Sequence, residues 1–296
     1  MRINTIDLNF FTPNAVACYL VEAGSGPILI ETGPDTTFPN LKGAIEGLGY
    51  DLRDIKGVFV THIHLDHAGA AWHFASMGIR IYVHPFGAPH IVDPTRLLAS
   101  ARRIYKDQME LLWGRVEAIS SEYVYAIKDG ERVRVGGIEI EAVETLGHAS
   151  HHHAYLIENS MFVGDIGGIR IEGGPVLPPT PPPDVHIEGW LESLRKIRKR
   201  RPEVIFLSHF GRYEDVFKHL DELERRLVEY SEWVGRKVEE GKEDEEIIPE
   251  FVSMCHRVLE EAGVDSSTVK AYEYADPFWM NVLGLTRYWK KFRLKL

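Results

Sequence analysis

Short apolar runs separated by glycine-rich turns fill the first part of the chain and predict β-strands. Residues 15–22 and 27–31 flank the glycine-rich segment 23–26, which is typical of a β-hairpin. Residues 58–61 form an apolar run that predicts a buried strand, and this strand leads directly into a segment rich in histidine. A helix is then expected over about residues 66–78, because small and apolar residues follow at helical spacing.

The pattern changes between residues 86 and 120, where apolar side chains recur every three or four positions. This spacing predicts a helical insertion over about residues 86–120, with one helix covering 94–117. Strands resume at residues 132–135 and 138–144, so we interpret the insertion as part of one domain. The insertion has more apolar residues than one short helix needs in order to pack against the rest of the domain.

The last third of the chain is predicted to be mainly helical. The proline-rich residues 177–184 favour an extended loop, followed by a helix over 187–200 and a strand over 204–207. Amphipathic helical patterns follow from residue 217, at 247–262 and at about 277–292. We therefore divide the chain into a domain of residues 1–213 and a helical C-terminal region of residues 214–296.

Composition narrows the class of protein. A formal net charge of -10 disfavours nucleic acid as a partner, because polyanion binding needs a positive field. Cys18 and Cys255 lie far apart and form neither a disulfide framework nor a cysteine metal clip. The N-terminus lacks an apolar signal core, and the apolar runs are far shorter than the ~20 residues that cross a bilayer. We expect a cytoplasmic protein with no membrane partner, and a homodimer is one alternative.

Residues 61–69, which read Thr-His-Ile-His-Leu-Asp-His-Ala-Gly, carry the strongest chemical signal. Alternate side chains of an extended segment share one face, so His62 and His64 can point at the same metal ion. Asp66 and His67 lie where the chain turns into the predicted helix, so they aim at a different point nearby. Imidazole and carboxylate are ligands that suit zinc, iron and manganese.

Four motifs in order resemble the metallo-β-lactamase superfamily. Residues 61–69 match its Thr-His-x-His-x-Asp-His-x-Gly signature, and residues 146–150 resemble its Gly-His motif. Residues 162–166 resemble the Phe-x-Gly-Asp motif, and 208–211 resemble the motif of the last histidine. The resemblance covers about residues 1–213. It implies an α/β fold, the four-layer αβ/βα sandwich, with a helical insertion and a helical C-terminal extension in this chain.

The resemblance also implies a dinuclear metal site. Its ligands would be His62, His64 and His148 for the first metal, Asp66, His67 and His209 for the second, and Asp165 as the bridge. A hydroxide held between two divalent metals would be the nucleophile, since metal binding lowers the pKa of water to about 7. We expect zinc, with iron or manganese as alternatives. Asp66 and Asp165 are predicted as catalytic residues as well as ligands.

Residues outside the four motifs carry further expectations. Residues 31–33 read Glu-Thr-Gly where relatives usually have Asp-x-Gly, so Glu31 is expected to support the ligands from outside. His152 resembles a position that orients a ligand, whereas His151 and His153 are expected at the surface or in the core. Helical positions predict solvated side chains for His73 and His219. The candidates for the pocket wall are His84, His90 and His186.

Several groups within the superfamily fit the sequence poorly. His64 stands where flavodiiron proteins carry glutamate, and narrow-sense β-lactamases lack the bridging aspartate that Asp165 resembles. Quorum-lactone hydrolases place a tyrosine shortly after that aspartate, whereas residues 166–169 read Ile-Gly-Gly-Ile. RNA-cleaving relatives usually need a basic arm. The chain is most similar to the glyoxalase II-like group, although a glutathione-binding pattern is not recognised.

The resulting hypothesis is a metal-dependent hydrolase of a small ester, thioester or phosphoester. The alternatives are an iron-dependent sulfur (persulfide) dioxygenase, a nuclease of the same fold and a non-catalytic metal-binding module. We expect the insertion and the C-terminal region to roof the pocket together and to select a substrate with an apolar part. The roof residues would be Leu97, Ile104, Tyr105, Met109, Leu112 and Trp113 from the insertion, and Phe278, Trp279, Met280, Tyr288 and Trp289 from the C-terminal region.

Overall fold

Two mixed β-sheets form the centre of the molecule in the computed structural model, which describes residues 1–22 and 24–295. Ala23, in the predicted hairpin turn, and Leu296, at the end of the predicted C-terminal region, lie outside the described residues. The first sheet has the spatial order β1 (Arg2–Asp7), β2 (Ala17–Glu22), β3 (Ile28–Ile30), β4 (Val58–Phe59), β5 (Ile81–Val83) and β6 (Val124–Ala126). Strands β1 to β3 pair antiparallel, and β3 to β6 pair parallel.

The second sheet is built by the second half of the chain. Its spatial order is β12 (Gly211–Tyr213), β11 (Val204–Leu207), β10 (Ser160–Phe162), β9 (His153–Ile157), β8 (Ile138–Glu144) and β7 (Arg132–Val135). The pair β10 and β11 is parallel, because α7 connects them, and the other pairs are antiparallel. The predicted strands 132–135, 138–144 and 204–207 are confirmed with these bounds.

The two sheets pack face to face through an aromatic core. Phe59 of the first sheet packs against Tyr155 of the second, with ring centroids 5.3 Å apart. The Tyr155 hydroxyl donates a hydrogen bond to the Val60 carbonyl at 2.9 Å, so its polar end is satisfied in the core. This packing brings the ends of β4, β10 and β11 to one edge of the sandwich.

Helices cover the outer face of each sheet and complete the four layers. On the first sheet lie α1 (Phe38–Gly47), α2 (Leu65–Ala68), α3 (Ala71–Ser76), α4 (Ala88–Val92), α5 (Thr95–Tyr105) and α6 (Met109–Trp113). On the second lie α7 (Ile187–Arg200), α8 (Val216–Glu239), α9 (Asp244–Glu261), α10 (Ser266–Ala275) and α11 (Phe278–Tyr288), which continues into a π-helical end, Trp289–Leu294. The four-layer sandwich predicted from the sequence is therefore confirmed.

The helical insertion differs in detail from the expected single helix over residues 94–117. Lys106, with φ of 50°, separates α5 from α6, and Gly114, with φ of 64°, follows the end of α6 at Trp113. These left-handed residues stop the helical path although the apolar spacing continues.

In the C-terminal region α10 was not expected. Asp265 starts it by accepting hydrogen bonds from the backbone of Ser267 and Thr268.

The C-terminal helices share one hydrophobic cluster with α7 and the second sheet. Leu223 and Leu227 of α8 are buried with Trp190 and Leu194 of α7. The two parts of the chain therefore bury their apolar faces against each other. The division of the chain into two parts at residue 213 stays a prediction. Within the described residues, none of the helices is both long enough and apolar enough to cross a membrane.

Candidate metal centre

Loops at one edge of both sheets bring the seven predicted ligands together. His62 follows β4, His64 immediately precedes α2, and Asp66 and His67 lie on α2. From the second sheet come His148 between β8 and β9, Asp165 in a short 3-10 turn after β10, and His209 between β11 and β12.

The first predicted ligand group is closely spaced. His62 Nε2 lies 2.9 Å from His64 Nδ1, and His148 Nε2 lies 3.1 Å from the same His64 atom. One atom from each of these three residues fits within 4.8 Å of the others. This spacing suits three ligands that converge on one ion.

The ligand atoms of the second predicted group are spaced as closely as those of the first. Asp66 Oδ2 lies 3.5 Å from His209 Nε2 and 3.6 Å from His67 Nε2, and one atom from each residue fits within 4.8 Å of the others. Asp66 and His67, the second and third residues of α2, therefore converge with His209, and one atom of His67 also lies within 4.8 Å of His62 and Asp165.

Asp165 lies between the two groups. Its Oδ2 is 3.5 Å from His148 Nε2 in the first group, while its Oδ1 is 3.2 Å from His67 Nε2 and 3.4 Å from His209 Nε2 in the second. A carboxylate with one oxygen toward each group has the geometry needed to bridge two ions.

Unpartnered buried atoms show that the residues fit divalent metals. His67 Nε2, His209 Nε2 and Asp165 Oδ1 are buried and make no hydrogen bond within the described residues. Buried polar atoms are almost always hydrogen bonded, so three orphaned ones at a single point indicate a missing electrophilic partner. Nitrogen and carboxylate donors are the ligand types that zinc, iron and manganese take.

The outward nitrogen of each buried ligand histidine is held by a neighbouring oxygen. His209 Nδ1 donates to the Ala15 carbonyl at 2.7 Å, and His148 Nδ1 donates to the Pro179 carbonyl at 2.9 Å. These bonds place the proton on Nδ1 and leave the Nε2 lone pair facing the centre. These contacts could not be predicted from the sequence, since backbone carbonyls are common to all residues.

Glu31 occupies the supporting position expected of it. Its Oε1 accepts hydrogen bonds from Thr61 Oγ1 at 2.5 Å and Ser208 Oγ at 3.1 Å, and it lies 3.2 Å from His67 Nδ1. Its Oε2 accepts from the Thr61 backbone N–H at 3.2 Å. This buried carboxylate thus ties β4 and β11 to a ligand and fixes the orientation of the His67 ring.

Burial and charge set the protonation of the site. Burial, assisted by His148, lowers the pKa of His64 to about 4, which favours the neutral, ligating form. Burial opposes ionisation of Asp66, but His67 and His209 lower its pKa to about 2. The pKa of His67 is raised, because Asp165 and Asp66 outweigh the burial that lowers it. The site is thus rich in negative charge that a cation would balance.

Glycines precede two of the ligands for steric reasons. Gly164 has φ of 51°, and a Cβ there would lie 2.5 Å from Thr61 Oγ1 and 2.7 Å from His152 Nε2. Gly147 has φ of 134°, and a Cβ would lie 2.4 Å from the Trp190 backbone. Each motif glycine therefore lets the following ligand approach the centre.

Residues 151–153 are all buried. His153 lies in the core, which agrees with the expectation of a surface or core position, whereas His151 departs from it by lining the cavity described below. His152 Nδ1 lies 2.9 Å from Thr145 Oγ1, and its Nε2 accepts from the Ile166 N–H at 3.4 Å. His152 thus braces the turn that carries Asp165.

The histidines on helices also depart from expectation. His219 is 1% exposed rather than solvated, because its Nε2 donates to the Gly167 carbonyl at 2.7 Å behind the Asp165 turn. Burial lowers its pKa to about 4. His73 is half-buried and lies 2.7 Å from Asp35. Of the wall candidates, His90 lines the cavity, while His84 contacts Glu144 and His186 caps α7.

A cavity of ≈ 390 Å³ opens above the centre, with His64, Asp66, His148 and Asp165 at its floor. Its walls come from Phe10, the insertion (Leu97, Ala101, Ile104, Tyr105, Leu112, Trp113), the proline-rich loop (Pro179, Pro181, Pro182, Pro183) and the C-terminal region (Tyr274, Ala275, Asp276, Pro277, Trp279, Met280). The two helical segments meet where the Tyr105 hydroxyl lies 3.7 Å from Met280 Sδ. The expectation that both segments roof the pocket is confirmed.

Some expected roof residues lie elsewhere. Met109, Phe278, Tyr288 and Trp289 are outside the cavity lining, and the last three pack in or against the hydrophobic cluster over the second sheet. The proline-rich loop and Asp276 were not expected in the wall. Proline loops and single aspartates are common on protein surfaces, so the sequence offered no signal for them.

Comparison with known proteins agrees with this geometry. The family model of the metallo-beta-lactamase superfamily matches residues 11–209. The metallo-beta-lactamase fold-containing protein ST1585 of Sulfurisphaera tokodaii is 25% identical over 158 residues, or 52% of this chain and 60% of that protein. Its crystal structure aligns over 96% of this chain and 97% of that chain, with a TM-score of 0.67 and 19% identity.

Two further relatives have names that describe chemistry. The probable metallo-hydrolase YqjP of Bacillus subtilis is 28% identical over 221 residues, which cover 67% of this chain and 68% of that protein. The atrochrysone carboxyl ACP thioesterase of Aspergillus fumigatus is 26% identical over 215 residues, covering 71% of this chain and 41% of that protein. The chain thus spans less than two thirds of the length of two of these three relatives. Because the family model matches most of the chain and the two-sheet fold carries its motifs at strand ends, the chain belongs to the metallo-beta-lactamase superfamily.

Proposed function

We propose that this protein is a dinuclear metal-dependent hydrolase that cleaves a small carboxylic ester or thioester with an apolar acyl group. The observation that carries the proposal is the position of Asp165 between two groups of ligand atoms at the floor of an apolar cavity. A dinuclear centre and an apolar pocket together match hydrolysis of an acyl compound better than binding alone.

The first group, His62, His64 and His148, would hold one metal, and the second group, Asp66, His67 and His209, would hold the other. Zinc is the proposed metal, with iron and manganese as alternatives. Bound divalent metals supply a water that ionises near neutral pH and polarise the oxygen of the scissile carbonyl. The chain's own part is to hold the ligand geometry, which it does through Glu31 and the carbonyls of Ala15 and Pro179.

The cavity walls favour an apolar acyl group. The ring of Trp113 stacks on that of Phe10, with centroids 5.7 Å apart, and packs edge-on against Tyr105 at 5.0 Å. Aromatic surface buries apolar substrate atoms and excludes water from the reacting bond. A rigid aromatic wall therefore supports recognition of an acyl chain or ring.

Charge in the wall favours a carboxylic ester over a phosphoester. Among the described residues that line the cavity, Arg96 is the one Lys or Arg, and it is exposed. Phosphate recognition usually relies on several converging cations or backbone N–H groups. The similarity to the atrochrysone carboxyl ACP thioesterase of Aspergillus fumigatus supports the same choice.

The test couples metal analysis to a substrate panel. Protein purified without chelators should contain two divalent ions per chain and should hydrolyse esters or thioesters with apolar acyl groups faster than phosphodiesters. Chelation should abolish turnover, and added zinc should restore it. One iron per chain with oxygen-dependent consumption of a persulfide would support the sulfur dioxygenase. Full metal loading without turnover of any substrate would contradict the hydrolase.

A further inference from the structure

Asp276 is a buried carboxyl group in the cavity that the four motifs do not explain. It follows α10, is 2% exposed, and lines the cavity together with Asp66 and Asp165. Asn281 Nδ2 donates to its Oδ2 at 2.5 Å, whereas its Oδ1 makes no hydrogen bond with the described residues. Burial of a carboxyl group with a single partner is costly, so such a group in a cleft is a candidate for function.

Hydrogen bonds through Asn281 and the proline-rich loop connect Asp276 to the predicted ligand His148. The Thr180 backbone N–H and Oγ1 both donate to Asn281 Oδ1, at 2.5 Å and 2.9 Å, so the Asn281 amide is fixed with its nitrogen toward Asp276. The neighbouring Pro179 carbonyl holds His148 Nδ1. The carboxyl group and the metal centre are therefore positioned by the same proline-rich loop.

Close packing keeps this arrangement rigid. A Cβ on Gly284 of α11 would lie 1.9 Å from the Thr180 carbonyl oxygen, so glycine is required for the helix to approach the loop. Since Asn281 lies on the same helix, the approach also sets the position of the Asn281 amide. The C-terminal region thus contributes a fixed polar group to a cavity whose walls are otherwise mainly apolar.

We propose that Asp276 donates a proton to the leaving oxygen when the acyl bond of an alkyl ester breaks. The inference rests on the proposed hydrolase function. In this step the attacking water-derived oxygen forms a bond to the acyl carbon, and the bond from that carbon to the leaving oxygen breaks. The leaving oxygen keeps the electron pair and takes the proton from Asp276, which becomes a carboxylate. Asp276 regains a proton from those released as the nucleophilic water and the acid product ionise.

The electrostatic surroundings agree with this role. Burial, together with the charges of Asp165 and Asp66, raises the pKa of Asp276 to about 7, while the Asn281 hydrogen bond and His209 oppose the rise. Tyr105 on α5 and Cys255 on α9 also interact with Asp276, and burial raises the pKa of both, so both are neutral near pH 7. A group that titrates near the working pH is an effective proton donor.

Leaving groups differ in their need for this proton. An alkoxide is a strong base and departs slowly unless it is protonated, whereas phenolates and thiolates are weak bases that depart as anions. Loss of the donor should therefore slow alkyl esters selectively. A purely structural role of Asp276 would slow all substrates by the same factor.

The experiment compares wild-type protein with Asp276→Asn, both loaded with metal to equal content, on a series of esters that share one acyl group. The kcat/KM for an alkyl ester should fall by about 100-fold, and that for the matching phenyl ester or thioester by less than about threefold. Glu250→Gln is the control, because Glu250 is an exposed carboxylate of α9 that pairs with Lys237 at 2.6 Å and lies outside the cavity lining. It should leave the ratio of the two substrates unchanged.

Two measurements on other samples keep the proposal testable if Asp276→Asn does not fold. Wild-type protein should show a larger solvent deuterium isotope effect on kcat/KM for the alkyl ester than for the phenyl ester. Asp276→Glu, which keeps a carboxyl group, should retain most of the alkyl preference. Infrared difference spectra of substrate-free, metal-loaded protein supply a readout besides turnover, because the C=O band of a protonated carboxyl group should be lost on the Asn substitution.

Equal slowing of both esters by Asp276→Asn, or equal isotope effects in the wild type, would overturn the role of Asp276 while leaving the hydrolase intact. Absence of ester and thioester turnover by the metal-loaded wild type would instead overturn the proposed function itself. The two failures are therefore distinguishable.

Discussion

The floor and the roof of the cavity are held in place by different forces. At the floor, three of the predicted ligand histidines are fixed through a hydrogen bond to a carboxylate or a backbone carbonyl: His67 by Glu31, His148 by Pro179 and His209 by Ala15. In the roof, Tyr105 and Trp113 are fixed by contacts between aromatic rings. Hydrogen bonds demand specific partners, whereas apolar packing tolerates changes of shape at a modest cost.

This contrast assigns different parts of the function to the two regions. The floor would determine whether the reaction occurs, because it sets the position of metals and nucleophile. The roof would determine which substrate reacts, because it meets the part of the molecule away from the scissile bond. Substitutions in the floor should therefore affect all substrates, and substitutions in the roof should affect substrates unequally.

The largest effect is expected from Asp165→Asn at the floor. An amide cannot offer a negatively charged oxygen to each ligand group, so we expect kcat/KM to fall by ~10³-fold for every substrate, with loss of one metal. Metal content and kinetics on a short and a long acyl ester measure this. Asp93→Asn, on the exposed start of the insertion, is the control. Turnover near the wild-type rate with Asp165→Asn would exclude a bridging role.

Glu31→Gln probes the support of the floor. The amide cannot accept all the hydrogen bonds from Thr61 and Ser208 that the carboxylate accepts, and it loses the charge beside His67. Metal affinity, measured by competition with a chromogenic chelator, should weaken by about 10- to 100-fold. Glu22→Gln, at the end of β2, should bind metal as the wild type does. Unchanged affinity in Glu31→Gln would show that Thr61 and Ser208 hold the site without the carboxylate.

The smallest effect is expected from Trp113→Ala in the roof. This side chain is 6% exposed and fills the wall between Phe10 and Tyr105, so its loss should cost about 10-fold in kcat/KM for an aromatic or medium-chain ester. A matching acetate ester should change little. Leu111→Ala, which removes a side chain that is 64% exposed on the same helix, serves as the control. Equal losses for both esters would mean that the wall only stabilises the fold.

Part of the floor could be predicted from the sequence because its geometry is local, whereas His148, Asp165 and His209 were predicted only from the resemblance of their motifs to the superfamily. The spacing of His62, His64, Asp66 and His67 follows from a strand that turns into a helix, and the structure places the four side chains in two groups as expected. The sandwich followed from the same motifs, since strand ends carry them. Glu31 was found because it stands in place of a residue of similar chemistry.

The roof was only partly predictable because its contacts are long-range. Helical spacing located the insertion but not its break at Lys106, which depends on one left-handed residue. The burial of His219 depends on the turn that carries Asp165, and a pattern of helix faces does not reveal which face another element will cover. Asp276 reaches the cavity only through the packing of α10 and α11, so nothing near it in the sequence marks its position.

The arrangement of the cavity also has a consequence for the order in which the protein assembles. The predicted ligands all precede residue 210, whereas one wall of the cavity is formed by residues 273–277, 279 and 280. A chain that emerges from the ribosome N-terminus first exposes the complete ligand set before that wall exists. Until the last helices dock, Tyr105 lacks its contact with Met280. A nascent chain therefore carries all the predicted metal ligands before this wall of the cavity is present, and the apolar residues of the insertion stay uncovered on that side until then.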